Sequence, residues 1–312
     1  MTRIIFLLIF LINSNPLLAH ETVNNVTLPA LKNYADQFIE LNKIREKICN
    51  YYEINPEIEI FINDIPSLKE EKRNLSSIGF EILPLTPKQV FEHNILVLGK
   101  ANIIHIVFFG ELHNHAEMVQ NIELETIAPY QGASRKMFFE YSNSQLFIIK
   151  QVIADYLIKK NIHDYSIQQN IPAYSKKSLS NLAIKEIEFE DLTITLLGFS
   201  LGGPLANLMA LNLNHYHPTM VENQKIKIIT FGSLLAFDAD LAGFYDLRFK
   251  NVSLNLIHMN DPGLSFRHED APLHQVGTYI LTPDPGNHRH SLLGYRQSLG
   301  YMHNNDYRIY VP

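Results

Sequence analysis

Cysteine is nearly absent from this chain of 312 residues, which contains only Cys49. A single cysteine excludes an intramolecular disulfide, so the fold must be held by its apolar core. Hydrophobic residues make up 46% of the chain, enough for a substantial core in one globular domain. Cys49 follows Ile44 and Ile48 at helical spacing, which favours a small buried apolar residue over a nucleophile.

Dense clusters of basic residues are also lacking. The formal net charge is -6, and lysine and arginine are spread along the chain. Nucleic-acid-binding proteins need a concentrated positive surface, and this sequence offers none. We therefore expect no nucleic-acid partner.

Long hydrophobic runs are confined to the start of the chain. An apolar stretch at 4–12 follows Arg3 and is too short for a membrane span. It predicts a signal peptide at 1–19, cleaved near Ala19, and hence a secreted or periplasmic protein with one domain at 20–312. A retained N-terminal anchor is the alternative. No later segment has eighteen consecutive apolar residues, so we expect no integral membrane segment in the mature chain.

Strand-like and helix-like patterns alternate along the rest of the sequence. Leu28 to Tyr52 has the three-to-four spacing of an amphipathic helix, and a long helical pattern runs through 139–157. Strands are predicted at 80–83, 95–98, 103–109, 192–197, 225–232 and 252–258, with 277–281 as an edge strand. The alternation predicts an α/β fold with a mostly parallel central sheet and helices on both faces.

Two segments between these elements suggest ligand contacts. Residues 111–131 are polar and contain histidine, which predicts a loop and a short helix at the carboxyl end of a strand, where open α/β sheets bind ligands. Residues 165–185 break the helical periodicity and predict a surface insertion or a mobile cover. A charge run at 69–73 is interpreted as a solvated turn or short helix, and 290–299 as a closing helix.

The segment Gly198-Phe199-Ser200-Leu201-Gly202 lies between a buried strand pattern and a helix pattern. This context is typical of a nucleophile elbow, in which a serine on a tight strand-to-helix turn exposes its hydroxyl. Glycine on either side lets the strand and the helix approach closely. Ser200 is therefore the candidate nucleophile.

A serine hydroxyl needs a histidine to take its proton and a carboxylate to orient that histidine. Asp261 directly follows the strand pattern that ends at His258, where the acid is expected. Asp238 and Asp240 are competitors, although Asp240 resembles a helix start. Spacing does not choose among the candidate bases, which are His268, His274, His288, His290 and His303.

Taken together, these motifs resemble the class 3 (fungal-type) lipase family over about Phe80 to Leu299. The residues that carry the resemblance are, in chain order, Val107-Phe108-Phe109-Gly110, Gly198 to Gly203 with Ala206, Thr230-Phe231-Gly232-Ser233, His258 to Pro262, and His290 to Tyr295 with Leu299.

The resemblance implies an α/β-hydrolase with a triad of Ser200, Asp261 and His290, no metal and no cofactor. His290 is preferred over His288 because an aromatic residue, Tyr295, follows it by five positions, as in the family. Oxyanion donors would be the backbone amides of Leu201 and of Gly110 and Glu111. The implied substrate is a carboxylic ester of a lipid, with peripheral contact to a lipid surface. Acylglycerol, phospholipid and small soluble esters stay open.

The sequence departs from the family pattern at three places. Phe199 replaces the usual histidine before the serine, a packing position. Glu111 occupies the place of a threonine or serine, and a carboxylate there would oppose a developing negative charge; one lost oxyanion donor costs roughly 2.7–4 kcal/mol. The His-x-Gly-Phe element is missing around 136–139.

Two other functions fit parts of the sequence. His113, His115 and Glu117, together with His288 and His290, could provide zinc ligands for a metal-dependent hydrolase. Glu111 instead favours a catalytically impaired hydrolase fold used as a secreted binding module, because a fold does not fix a function.

Overall fold

An eight-stranded sheet forms the centre of the computed structural model of this protein. The structure describes residues 27–57, 60–110, 123–130, 132–169, 192–258, 260–261, 273–284, 286, 290–302 and 309–310. Its strands in chain order are β1 (Glu81–Ile82), β2 (Ile95–Lys100), β3 (Ile103–Phe108), β6 (Thr193–Phe199), β7 (Ile226–Phe231), β8 (Ser253–His258), β9 (Thr278–Thr282) and β10 (Ile309–Tyr310). A separate hairpin pairs β4 (Leu124–Thr126) with β5 (Ala133–Arg135).

The spatial order of the large sheet is β1-β2-β3-β6-β7-β8-β9-β10. Strands β3, β6, β7, β8 and β9 are mutually parallel, whereas β1, β2 and β10 add antiparallel strands at the flanks. The carboxyl ends of the parallel strands therefore meet at one edge of the sheet. The predicted mostly parallel α/β-hydrolase sheet is confirmed.

The strands in the middle of this sheet are mostly apolar and almost entirely buried. Every side chain of β8 is buried, as are the five central residues of β6. A parallel sheet covered on both faces requires such continuous apolar runs, because neither face is exposed to water. This is why the sequence shows short apolar runs here in place of strict alternation.

The helices in chain order are α1 (Leu28–Ile54), α2 (Lys69–Ser77), α3 (Pro87–His93), α4 (Lys136–Gln169), α5 (Gly202–Tyr216), α6 (Pro218–Glu222), α7 (Ala239–Phe249) and α8 (Leu292–Tyr301). Helix α1 begins after Thr27, whose side chain accepts a hydrogen bond from the Ala30 amide, and Pro29 occupies the first turn.

Two neighbouring residues of β6 show which helices cover which face. The ring of Phe199 contacts the ring of Phe38 in α1, with ring centroids 6.5 Å apart. Gly198 lies against Gly202 at the start of α5. Successive strand residues point to opposite faces, so α1 and α5 cover opposite sides of the sheet. Helix α1 packs with α3 and α8, and α5 packs with α4.

The structure corrects one strand prediction and adds a hairpin. The segment predicted as an edge strand forms β9, which pairs with β8 on one side and β10 on the other. The edge assignment was wrong because the two residues of β10 come from far downstream and carry no strand pattern of their own. Within the predicted loop at 111–131, Leu124–Thr126 forms β4; residues 111–122 lie outside the described residues.

Two other predictions are tested only in part. The charge run at 69–73 belongs to helix α2, which agrees with the helical alternative. Helix α4 continues to Gln169, into the segment predicted as an insertion, whose remainder at 170–185 is outside the described residues, as is the predicted signal peptide. Among the helices that the structure describes, none is both long and apolar enough to cross a bilayer.

Candidate active site

Ser200 lies on the turn between β6 and α5 with φ of +55°, in the left-handed region that side chains other than glycine seldom adopt. Its amide donates to the Phe231 carbonyl at 3.0 Å, and its carbonyl accepts from the Gly203 amide at 3.0 Å. A Cβ atom on Gly202 would lie 2.1 Å from the Phe108 carbonyl oxygen. The turn is therefore as tight as the elbow motif predicts.

The imidazole of His290 reaches the serine. Its Nε2 lies 2.6 Å from Ser200 Oγ, although the two residues are 90 positions apart. His290 precedes helix α8, which is capped by Ser291 through a hydrogen bond from the Gly294 amide at 3.0 Å. The start of α8 thus positions the ring at the carboxyl edge of the sheet.

Asp261 lies on the far side of the same imidazole, three residues after β8. Its Oδ1 is 2.7 Å from His290 Nδ1, and the residue is 2% exposed. An ionised carboxylate only accepts hydrogen bonds, so Nδ1 carries the proton and Nε2 is left to accept from the Ser200 hydroxyl. The structure brings together the three residues that the family resemblance implies.

Tyr295 contacts this group directly, a contact that sequence reasoning did not identify. Its hydroxyl donates a 2.5 Å hydrogen bond to Asp261 Oδ2, and the residue is fully buried. Burial, followed by the negative charge of Asp261, raises the pKa of Tyr295 well above its usual range. The ring stacks on His258, with centroids 3.8 Å apart. The five-residue spacing from His290 marked Tyr295 in the sequence, but not its contact.

A glycine makes room for this buried pair. Gly232 follows β7 with φ of +56°, and a Cβ atom there would lie 2.8 Å from the Tyr295 hydroxyl and 2.9 Å from Asp261 Oδ2. Both the backbone angle and the space require glycine.

The ring of Phe199 packs beside the imidazole of His290, with centroids 5.3 Å apart and planes 30° from parallel. It also contacts Tyr295 edge-on, at 6.5 Å. The residue that departs from the family pattern before the serine therefore packs against the candidate base.

Gly110 lies directly against the candidate nucleophile. A Cβ atom on Gly110 would be 2.5 Å from Ser200 Cβ and 2.7 Å from the Phe199 carbonyl oxygen. Leu201, the N-cap of α5, is fully buried beside Ser200. The first amides of a helix have no partner within the helix and form its positive end. Glu111, the third predicted oxyanion residue, lies outside the described residues.

The two competing acids, Asp238 and Asp240, lie at the start of helix α7. Asp238 caps helix α7 by accepting from the Leu241 amide at 2.8 Å, and its other oxygen accepts from the Ala133 amide at 2.8 Å. Asp240 is exposed in the first turn of α7. Neither prediction of an alternative acid is supported by this arrangement.

Among the competing bases, His274 is exposed and pairs through its backbone with Phe237 at 2.8 Å. His268, His288 and His303 lie outside the described residues, as do His113, His115 and Glu117 of the alternative metal site. Within the described part of the chain, no group of three histidine, cysteine, aspartate or glutamate side chains could hold a metal ion.

Residues 132–263 match the model of the lipase (class 3) family. This segment is similar to class 3 lipases. It contains Ser200 and Asp261, while His290 lies beyond its end. Similarity to a lipase family model supports a carboxylic ester hydrolase, which is consistent with the hydrogen-bonded serine, histidine and aspartate.

Several solved fungal lipases are similar to this chain. The lipase of Rhizopus microsporus var. chinensis is 12% identical, with a TM-score of 0.44, over 79% of this chain and 74% of the other. A propeptide complex of Rhizomucor miehei lipase is 13% identical, with a TM-score of 0.48, over 80% and 67%. Lipase II of Rhizopus niveus is 14% identical, with a TM-score of 0.43, over 79% and 80%. No curated protein sequence matches at a significant level.

Proposed function

We propose that this protein is a secreted serine esterase or lipase that hydrolyses carboxylic esters of lipids, acylglycerols or phospholipids, through an acyl-enzyme. The observation that carries the proposal is the continuous chain of hydrogen bonds from Ser200 Oγ through His290 to Asp261, at 2.6 and 2.7 Å. Secretion rests on the predicted signal peptide at 1–19.

In the acylation step, Ser200 Oγ attacks the ester carbonyl carbon while His290 Nε2 takes the hydroxyl proton. The resulting imidazolium is stabilised by Asp261, and collapse of the tetrahedral intermediate transfers that proton to the departing alcohol. Water then attacks the acyl-enzyme with His290 as base, which releases the fatty acid and regenerates Ser200.

The tetrahedral oxyanion would be held by backbone amides of Leu201 and of the Gly110–Glu111 segment. Two features support this assignment: Gly110 lies against Ser200, and the Leu201 amide lies at the positive end of α5. Peripheral contact with a lipid surface follows from the substrate class that we propose.

Active-site labelling tests the proposal most directly. We expect a fluorophosphonate probe to label the wild-type protein and not Ser200→Ala, and we expect turnover of a soluble p-nitrophenyl ester to be lost in the same variant. His290→Ala should lose labelling, whereas Asp261→Asn should keep the fold and lose on the order of four decades in turnover, as in other triads.

The alternatives give different results in the same assays. Turnover that survives Ser200→Ala and is removed by a chelator would indicate a metal-dependent hydrolase. A protein that neither labels nor turns over any member of a panel of acylglycerols, phospholipids and soluble esters would contradict the enzymatic proposal and favour the binding module. The same panel identifies the preferred ester.

A further inference from the structure

Helix α1 buries a guanidinium group beneath the strand that leads to Gly110. Arg45 is only 5% exposed, and arginine is seldom buried without partners. Its Nη1 donates a 2.7 Å hydrogen bond to Asn94 Oδ1, and its Cζ lies 5.3 Å from the ring centroid of Phe109. One side chain of α1 therefore holds two separate segments of the chain.

Those two segments are also joined to each other. Asn94 is 1% exposed and ends helix α3 in the left-handed conformation, with φ of +47°. Its carbonyl accepts a 3.0 Å hydrogen bond from the Phe109 amide. Arg45, Asn94 and Phe109 thus form a closed ring of contacts, with two hydrogen bonds and one cation–π contact.

The ring of contacts ends one residue before Gly110, which lies against Ser200. Oxyanion donors work only within narrow tolerances, about 0.5 Å in position, and a displacement of about 1 Å can cost roughly a hundredfold in rate. One side of the backbone at 109–110 faces Ser200. The contacts that fix its position must therefore be made on the opposite side.

We infer that Arg45 is a positioning residue that fixes the backbone at 109–110 for oxyanion binding. It acts through Asn94 and Phe109, and the inference rests on the proposed acyl-transfer function. Arg45 lies outside the 132–263 segment that matches the family model, so this support comes from the chain's own N-terminal helix.

A double-mutant cycle tests the inference in the full-length protein. Arg45→Met removes the hydrogen bond and the charge but keeps the length of the side chain. Asn94→Gly removes the partner amide while suiting the positive φ at that position. We expect each variant to lower kcat by about 10- to 100-fold with KM nearly unchanged, and the double variant to lose little more than the larger single loss.

A trifluoromethyl ketone supplies a readout that a merely structural role would not change. Such a ketone adds to the serine and presents an oxyanion, so its affinity reports oxyanion binding. We expect its inhibition constant to rise by the same factor by which kcat/KM falls. If Arg45→Met lowers the melting temperature but leaves kcat and ketone affinity at wild-type values, the positioning role is overturned.

Arg248→Met is the matched control. Arg248 Nε donates a 2.8 Å hydrogen bond to Asn214 Oδ1, which is also an arginine–asparagine pair, and Arg248 has a further ion pair with Glu222 at 3.0 Å. Asn214 lies 12 residues after Gly202 in α5, roughly 18 Å from the elbow along the helix. We expect this control to lose some stability and to keep kcat and ketone affinity; an equal loss of both would overturn the specific role of Arg45.

Two outcomes separate this inference from the proposed function. If Arg45→Met does not fold, Asn94→Gly alone carries the test, and wild-type kcat in that variant overturns the inference. If the wild-type protein shows neither turnover nor ketone binding, the proposed function fails, and the positioning role fails with it. Wild-type activity combined with unaffected variants contradicts only the positioning role.

Discussion

The two oxygens of the Asp261 carboxylate have different partners: Oδ1 faces His290 Nδ1 at 2.7 Å, and Oδ2 accepts from the Tyr295 hydroxyl at 2.5 Å. Both contacts are made in the interior, where an unmatched charge is expensive. Tyr295 therefore fixes the rotation of the carboxylate that orients the candidate base. Helix α8 supplies Tyr295, and His290 lies directly before its N-cap Ser291, so one element positions both contacts.

Tyr295→Phe should remove the hydroxyl and leave the ring stacked on His258. Hydrogen bonds to charged groups contribute about 1.5–3 kcal/mol, so we expect unfolding free energy to fall by that order and kcat to fall by roughly tenfold or more. Denaturant melts and ester kinetics measure the two effects.

Tyr245→Phe is the control for this change. The Tyr245 hydroxyl is also buried, but it bonds to the neutral side chains of Asn207 and Ser253 at 2.8 and 3.0 Å. We expect the Tyr245→Phe variant to have a lower free energy of unfolding and an unchanged kcat. Equal kcat in the wild type and Tyr295→Phe would show that the hydrogen bond from Tyr295 is not needed to orient the Asp261 carboxylate.

Gly110→Ala should disable the site by crowding. The added Cβ would lie 2.5 Å from Ser200 Cβ, so either the nucleophile or the 109–110 backbone must shift. A shift of about 1 Å predicts a loss of roughly a hundredfold or more in kcat. Kinetics on a soluble ester, with fluorophosphonate labelling rates, measure it.

Gly243→Ala adds the same methyl group in helix α7, where a Cβ atom would meet no heavy atom within 4 Å. Alanine is better than glycine inside a helix, so this variant should gain roughly 0.5–1 kcal/mol and keep full activity. If Gly110→Ala were as active as Gly243→Ala, the close approach of Gly110 to Ser200 would not be required for catalysis.

Acid should destabilise the protein through the fully buried His258 and the partly buried His105. Burial lowers the pKa of His258 to about 4, against the opposing charges of Asp261 and Asp284. Burial, with Lys227 and Lys100, also lowers the pKa of His105 to about 4. Both stay neutral in the folded state, while the unfolded chain takes up protons below its usual pKa of about 6.5. Unfolding free energy should therefore fall as the pH decreases from about 6.5 to 4, and level off below.

Urea melts at several pH values measure this slope, which is up to about 1.4 kcal/mol per pH unit for each histidine. His105→Gln should make the slope shallower, since one of the two groups is removed. An unchanged slope in that variant would show that His105 titrates normally in the folded protein.

Phe199→Leu should weaken catalysis without removing it. The ring packs 5.3 Å from the His290 imidazole, where it restricts the ring and faces the cation formed during acylation. Cation–π contacts contribute about 0.5–2 kcal/mol, so we expect kcat to fall by a few-fold to about thirtyfold. Phe61→Leu, at a half-exposed residue, is the control and should match the wild type. A wild-type kcat in Phe199→Leu would make Phe199 a packing residue only.

Local sequence predicted most of the architecture. The apolar runs of β3, β6, β7 and β8 and the periodicity of α1 follow from burial and from repeat length, which neighbouring residues encode. The serine turn and the aspartate after β8 were also predictable, because each directly follows a recognisable strand. By contrast, β4 has three residues and β10 only two, too few to show a period.

The sequence by itself therefore determined the central strands and the elbow at Ser200, and it placed Asp261 where the acid is expected while leaving Asp238 and Asp240 as competitors. It left the base open among five histidines until the family resemblance favoured His290, and the tertiary structure brings that imidazole within 2.6 Å of Ser200. Only the tertiary structure decided the contacts of Tyr295 with Asp261 and of Arg45 with Asn94 and Phe109. The reason is physical: these contacts join residues 34, 49 and 64 positions apart, and their geometry depends on how separate helices pack on the sheet.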